Sequence, residues 1–140
     1  MHKPIKNHNV SFGYYDKYPY TPFFRIRGLA GKQHYAWDYA CPTGTPVHAP
    51  ERMQVHDVVA SGWRSYFGYG RFIRAISLED KVTEFIFAHL DVVPYPRKGK
   101  IWQADELFAW SGNTGISTNP HLHFSVKRNG LWIDPQELYG

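Results

Sequence analysis

Apolar and polar residues alternate along several short stretches of this chain, which is the pattern of β-strands with one buried face. The stretches span residues 54–60, 71–76, 83–88, 107–110, 121–127 and 131–133. Turns rich in glycine and proline separate them, and the Asn129-Gly130 pair before the last stretch is typical of a tight β-hairpin. The pattern therefore predicts a mainly β chain.

Helical periodicity is nearly absent. Residues 134–139 are the one candidate helix, because Pro135 suits a first helical turn. Prolines at 19 and 22 predict that the first thirty residues are irregular. Since no composition shift, internal repeat or low-complexity segment divides the chain, we expect residues 1–140 to form a single domain.

Composition narrows the class of protein. An apolar content of 43% in 140 residues excludes a disordered chain, and the single Cys41 excludes an internal disulfide. No apolar run approaches the roughly 18 residues of a membrane helix, and the polar start lacks a secretory signal. We therefore expect a protein made in the cytoplasm, without membrane insertion, with a secreted form as the alternative.

The formal net charge of +4 favours a polyanionic partner, either nucleic acid or a teichoic-acid-bearing cell wall. The most basic run, residues 97–100, has no interleaved aromatic residues on which bases could stack. We therefore expect no nucleic-acid partner, and a basic nucleic-acid binder, which would retain DNA in a salt-dependent way, is kept as a rival hypothesis.

Candidate chemistry lies in four histidines and one carboxylate. In the sequence PHLHF at 120–124, a strand centred on Leu122 would send His121 and His123 to the same face. Hydrolytic zinc sites commonly use three nitrogen or oxygen ligands and leave one position for water. His34, Asp38 and His123 supply that number, which predicts one zinc ion that activates a water molecule.

His121 and the isolated His89 would then be left for proton transfer, to which an imidazole is suited near neutral pH. No His-Glu-x-x-His motif offers a glutamate base instead. Two alternatives stay open. His34 and Asp38 could be an i,i+4 pair on a helix, and two histidines with one carboxylate also form the iron site of non-haem oxygenases.

Further motifs accompany these residues. They are Ser11-Phe12-Gly13, Ser61-Gly62-Trp63, Phe87-Ala88-His89-Leu90, SGNTG at 111–115 and Asp134-Pro135. In this order, from about residue 9 to the end, the chain resembles the lysostaphin-like zinc endopeptidases of bacterial cell walls. The resemblance implies that His34, Asp38 and His123 bind zinc and that His89 and His121 are catalytic.

The resemblance also implies a fold and a substrate. We expect an antiparallel β-sheet or sandwich with the metal at the floor of a groove walled by loops, one of them residues 113–119. Trp37, Trp63, Tyr66 and Tyr69 should divide between core and groove. The expected partner is peptidoglycan, cut by a monomer at Gly-Gly bridges or at D-Ala-to-diamino-acid cross-links.

Two readings of the biological role follow from this likeness. A stand-alone catalytic domain looks like a bacteriophage lysis enzyme or a virion-borne wall peptidase, and a domain excised from a larger secreted enzyme would look similar. The alternative is a non-catalytic wall-binding or amidase-regulating module on the same fold, although such modules typically lack part of the ligand set.

Overall fold

The computed structural model describes residues 1–61 and 68–140. In chain order, their elements are β1 (Val10–Phe12), α1 (Pro22–Ile26), β2 (Trp37–Ala40), β3 (Pro46–His48), β4 (Met53–Val59), β5 (Arg71–Ser77), β6 (Thr83–Val92), β7 (Ile101–Trp102), β8 (Leu107–Ser111), β9 (His121–Arg128), β10 (Leu131–Ile133) and a 3-10 helix (Pro135–Leu138). Gly62, Trp63 and Tyr66 lie outside the described residues. Within them, no helix is both long and apolar enough to cross a membrane.

The strands pair into one antiparallel sheet in the order β1-β2-β9-β6-β5-β4-β7. Off this path, β10 pairs with β9, and β8 pairs with both β3 and β6. This arrangement confirms the predicted mainly β, antiparallel fold. The predicted hairpin is also present, with Leu131 opposite Arg128 across the turn.

Aromatic side chains form the core on one face of the central strands. Phe124 of β9 lies opposite both Trp37 of β2 and Phe87 of β6. The Phe87 ring centroid is 4.8 Å from that of Phe108 and 5.4 Å from that of Phe124. Cys41 is buried beside this core with its thiol free. The opposite face of β2 and β9 is therefore free to carry polar residues.

β6 extends beyond the strand predicted at residues 83–88, because its second half pairs with a different strand from its first half. It pairs with β9 as far as Ala88, opposite His123, and pairs with β8 from Leu90, opposite Ser111. The pattern of residues 83–88 reveals only the first of these pairings. His89 lies at the point where the second begins.

The prediction that the first thirty residues are irregular is wrong in two places. β1 forms because Val10 finds a partner in Tyr39 of β2, a distant pairing that a three-residue pattern cannot reveal. α1 begins with Pro22 in its first turn, where a missing N–H costs nothing. At the other end, the predicted helix is a 3-10 helix, capped by the Asp134 side chain accepting from the Gln136 N–H.

Candidate active site

Regular strand geometry brings two predicted residues together at the sheet face opposite the core. Asp38 of β2 lies directly opposite His123 of β9, and Ala40 lies opposite His121. Between the histidines, Leu122 is fully buried on the other face. Alternation along β9 therefore places both imidazoles beside the Asp38 carboxylate, as the PHLHF sequence predicts.

His34 joins this group from the loop before β2. The following residue, Tyr35, has a left-handed backbone with φ of 60°. The His34 Nδ1 lies 3.1 Å from the Gly13 carbonyl oxygen, and because a carbonyl only accepts, Nδ1 donates and Nε2 carries the lone pair. The helix alternative for His34 and Asp38 is wrong, because Asp38 lies on a strand.

The three side chains converge on one point. Asp38 Oδ2 lies 3.2 Å from His34 Nε2, and Asp38 Oδ1 lies 3.2 Å from His123 Nδ1. One ligand atom from each residue lies within 4.8 Å of the others. His34 Nε2 and Asp38 Oδ1 are buried without a hydrogen-bond partner among the described residues.

Buried ligand atoms without a hydrogen-bond partner are satisfied by a cation placed between them, so these residues fit a metal ion. Two imidazole nitrogens and a carboxylate oxygen are ligands that zinc prefers. His34, Asp38 and His123 therefore form a candidate metal site, and zinc rather than iron as its metal stays a prediction.

Protonation states also suit metal binding. Burial raises the pKa of Asp38, but its polar contacts with His123 and His34 outweigh burial and hold the pKa well below its usual range. Burial lowers the pKa of His123, opposed in part by Asp38. An ionised Asp38 carboxylate beside a neutral His123 imidazole is the form in which these two side chains bind a cation.

His89 reaches the site by breaking the strand pattern. Strict alternation would turn it to the core with Phe87, but its backbone is left-handed, with φ of 61°. A β-bulge accompanies this, because the register with β5 shifts between Arg71 and Ile73. The His89 ring centroid lies 4.6 Å from that of His121. The structure thus brings all five predicted residues together.

Backbone carbonyls orient both remaining imidazoles. His89 Nδ1 lies 2.7 Å from the Thr114 carbonyl oxygen, and His121 Nδ1 lies 2.7 Å from that of Asn119. Each Nδ1 must donate, which leaves Nε2 as the acceptor nitrogen of a neutral ring. Burial, with the charges of His123 and His121, lowers the pKa of His89, so His89 is neutral at physiological pH and its Nε2 is free to accept a proton.

A groove of about 370 Å³ opens above these side chains. Its walls come from two segments of the chain, and among the lining residues are Pro19, Phe23, Phe24 and Leu29 on one side and Ile116, Ser117, Thr118 and Asn119 on the other. The second wall belongs to the predicted loop 113–119. The first, which includes α1, escaped sequence reasoning because the segment has no helical periodicity.

Sequence reasoning also missed Tyr18. Its ring lies 5.5 Å from that of His34 and lines the groove. Burial, followed by the negative charge of Asp38, raises the pKa of Tyr18, so the phenol keeps its proton. Tyr69, which is half-buried, has its ring 5.7 Å from that of His123, whereas Trp37 is buried in the core.

Comparison with known proteins supplies the family. The model of peptidase family M23 matches residues 32–135. The chain belongs to peptidase family M23. This M23 peptidase is 34% identical over 127 residues to the glycyl-glycine endopeptidase ALE-1 of Staphylococcus capitis, covering 89% of this chain and 33% of that protein. It is also 34% identical over 127 residues to lysostaphin of Staphylococcus simulans, covering 91% of this chain and 23% of lysostaphin.

A solved structure of the lysostaphin catalytic domain from Staphylococcus simulans superposes on this M23 peptidase with a TM-score of 0.76 at 32% identity. The match covers 96% of this chain and 94% of that domain. The chain spans only 33% and 23% of the full length of the two relatives above. The predicted resemblance and the predicted class of enzyme, a peptidase, are thereby confirmed.

Proposed function

We propose that this chain is a zinc-dependent endopeptidase that hydrolyses peptide bonds in bacterial peptidoglycan. The observation that carries the proposal is the cluster of His34, Asp38 and His123, whose ligand atoms lie within 4.8 Å of one another. The cluster lies at the floor of a groove, with two further imidazoles beside it. Membership of a peptidase family supports the same reaction.

In this proposal His34 Nε2, Asp38 and His123 Nδ1 hold the zinc. When bound, zinc supplies a Lewis acid that lowers the pKa of water and polarises a carbonyl. The Gly13 carbonyl, which accepts from His34 Nδ1, keeps the ring turned so that Nε2 faces Asp38.

The other two histidines would carry the proton. Their Nδ1 atoms are occupied by the carbonyls of Thr114 and Asn119, so a proton released by the attacking water goes to Nε2 of His89 or His121. The same nitrogen then returns it to the amine that leaves when the peptide bond breaks. The bond cut is thus C–N, and no covalent intermediate with the protein is required.

For the substrate we propose a glycine-containing cross-bridge, because one relative is named a glycyl-glycine endopeptidase. A D-Ala-to-diamino-acid cross-link is the competing outcome. The prediction of a bacteriophage lysis enzyme stays a prediction, as does the expectation of a monomer.

The test is mass spectrometry of fragments released from purified cell walls, one type with glycine bridges and one directly cross-linked. New amino termini that vanish with chelator and return with zinc would support the proposal and name the bond. His56→Ala, an exposed histidine outside the groove, is the matched control and should behave like the wild type. No release from either wall by folded, zinc-loaded protein would instead favour the non-catalytic module.

A further inference from the structure

Thr114 occupies a buried position between three segments that meet behind His89. It is 1% exposed. Its hydroxyl donates to the Leu90 carbonyl at 2.8 Å and accepts from the Arg71 N–H at 3.0 Å. Its own carbonyl accepts from His89 Nδ1 at 2.7 Å. One residue therefore binds both the ring of His89 and the backbone immediately after it.

We propose that Thr114 is a positioning residue whose hydroxyl fixes the orientation and tautomer of the His89 imidazole. The inference rests on the proposed function, in which His89 carries a proton. It concerns the side-chain hydroxyl of Thr114, which does not itself touch the ring.

The backbone of His89 needs such support. A left-handed conformation is strained for a residue with a Cβ, and it persists only where surrounding contacts hold it. The contacts on either side are the His89 N–H, which donates to the Tyr69 carbonyl, and the Leu90 carbonyl, which accepts from Thr114. Thr114 thus supplies one of the two hydrogen bonds that hold the backbone on either side of the strained residue.

The backbone of residues 68–70 packs closely against residues 114–116. A Cβ built on Gly70 would lie 2.5 Å from the Thr114 hydroxyl oxygen, and one built on Gly115 would lie 2.3 Å from the Gly68 carbonyl oxygen. The Ile116 N–H donates to that same Gly68 carbonyl. This close packing restricts movement of the Thr114 carbonyl and, through it, of the ring that donates to it.

The test compares Thr114→Val with Thr114→Ser, assayed on pentaglycine or on whichever soluble cross-link the wall digest identifies. Valine keeps the volume of threonine but removes the hydroxyl. We expect kcat to fall about 10- to 100-fold with KM changed less than about twofold, because the chemistry loses a supporting contact while the groove keeps its walls. Thr114→Ser, which keeps the hydroxyl, should restore kcat to within a few-fold of the wild type.

Thr83→Val is the matched control. Thr83 is also buried, and its hydroxyl also joins two groups, donating to Asp80 and accepting from Arg128, but it lies at the far end of β6. This variant should lose thermal stability as Thr114→Val does and keep kcat within about twofold. A merely structural role for Thr114 would make the two variants alike.

A readout besides activity is the ¹⁵N NMR spectrum of the His89 ring. In the wild type, the two ¹⁵N chemical shifts should show that one ring nitrogen is protonated and the other is not. In Thr114→Val, both chemical shifts should move toward the averaged values that a mixture of tautomers gives. If Thr114→Val does not fold, Thr114→Ala takes its place, because it also removes the hydroxyl but places no methyl group against the Arg71 N–H, and the same changes in kcat and in the His89 spectrum are expected.

Equal kcat in Thr114→Val and Thr83→Val, or an unchanged His89 spectrum, would overturn the inference. A wild-type protein that cuts no cross-link would overturn the proposed function instead, and the ring spectrum would still decide whether Thr114 orients His89.

Discussion

β9 and β6 each deliver imidazoles to the same groove, but by different means. On β9, His121 and His123 face the groove because a regular strand alternates, with Leu122 buried between them. On β6, His89 faces it only because a left-handed residue and a bulge interrupt the alternation. The position of the β9 histidines depends on strand pairing within the sheet. The position of His89 depends on the loop that contains Thr114, whose carbonyl accepts from the His89 ring.

This difference separates two kinds of requirement. A ligand on a paired strand is placed by hydrogen bonds that the whole sheet maintains, so its position tolerates changes in loops. A residue at a bulge depends on a few local contacts, and here they come from Thr114 and from residues 68–71. Substitutions of the β9 histidines should therefore cause the largest losses of hydrolytic activity, while substitutions in the segments that contact His89 should lower the activity only in part.

The largest effect should follow from His123→Ala, compared with His121→Ala on the same strand. His123→Ala removes a proposed ligand, so zinc and hydrolysis should both be lost. His121→Ala should keep the zinc and lower kcat by about 10²- to 10⁴-fold, the usual contribution of a proton-transferring side chain. Metal analysis of the purified variants, with wall digestion, measures both. Full activity in His121→Ala would show that the assigned proton transfer is wrong.

The sequence predicts much of β9 because two independent signals agree there. Residues 121–127 alternate and a hairpin turn follows, so both the strand and the shared face of His121 and His123 are predicted correctly. The strands β1, β2, β3 and β7 have two to four residues, too few for periodicity to appear. They form because distant partners pair with them.

His89 could not be placed by physical reasoning from the sequence. Alternation along β6 would assign it to the core, although its imidazole chemistry and the resemblance to a known family both indicated a functional role. The left-handed backbone that moves it to the groove depends on contacts with Tyr69 and Thr114, both distant in sequence. No local pattern of residues 83–88 encodes those contacts.

An intermediate effect should follow from Gly115→Ala, which tests the support behind β6. Gly115 and Gly130 both have left-handed backbones, with φ of 78° and 79°, but a Cβ at Gly130 meets nothing within 4 Å. Gly130→Ala should therefore cost about 1–2 kcal/mol of unfolding free energy from backbone strain alone. Gly115→Ala should cost more, because the added carbon would collide with the Gly68 carbonyl.

Activity distinguishes these two glycine variants further. Displacing the loop should shift the Thr114 carbonyl and lower kcat by about tenfold or more in Gly115→Ala. In Gly130→Ala, which lies in the β9–β10 turn, kcat should stay within about twofold of the wild type. Denaturant unfolding and steady-state kinetics measure the two effects. If both variants lost activity equally, the dependence of His89 on its supporting loop would be contradicted.

The smallest effect should come from the α1 wall, which supports neither β6 nor β9. Phe23 is half-buried at the groove, and the Arg27 guanidinium lies 3.7 Å from its ring centroid. Phe23→Ala removes apolar surface that a bound peptide would cover, so KM should rise about three- to tenfold with kcat unchanged.

Ile26→Ala is the matched control for this wall, because Ile26 lies on the same helix and is 84% exposed away from the groove lining. Its KM should equal that of the wild type. A fall in kcat for Phe23→Ala would mean that α1 acts on the chemistry as well as on binding. A rise in KM alone would restrict α1 to holding substrate, leaving the reaction to side chains that β2, β6, β9 and the loop before β2 provide.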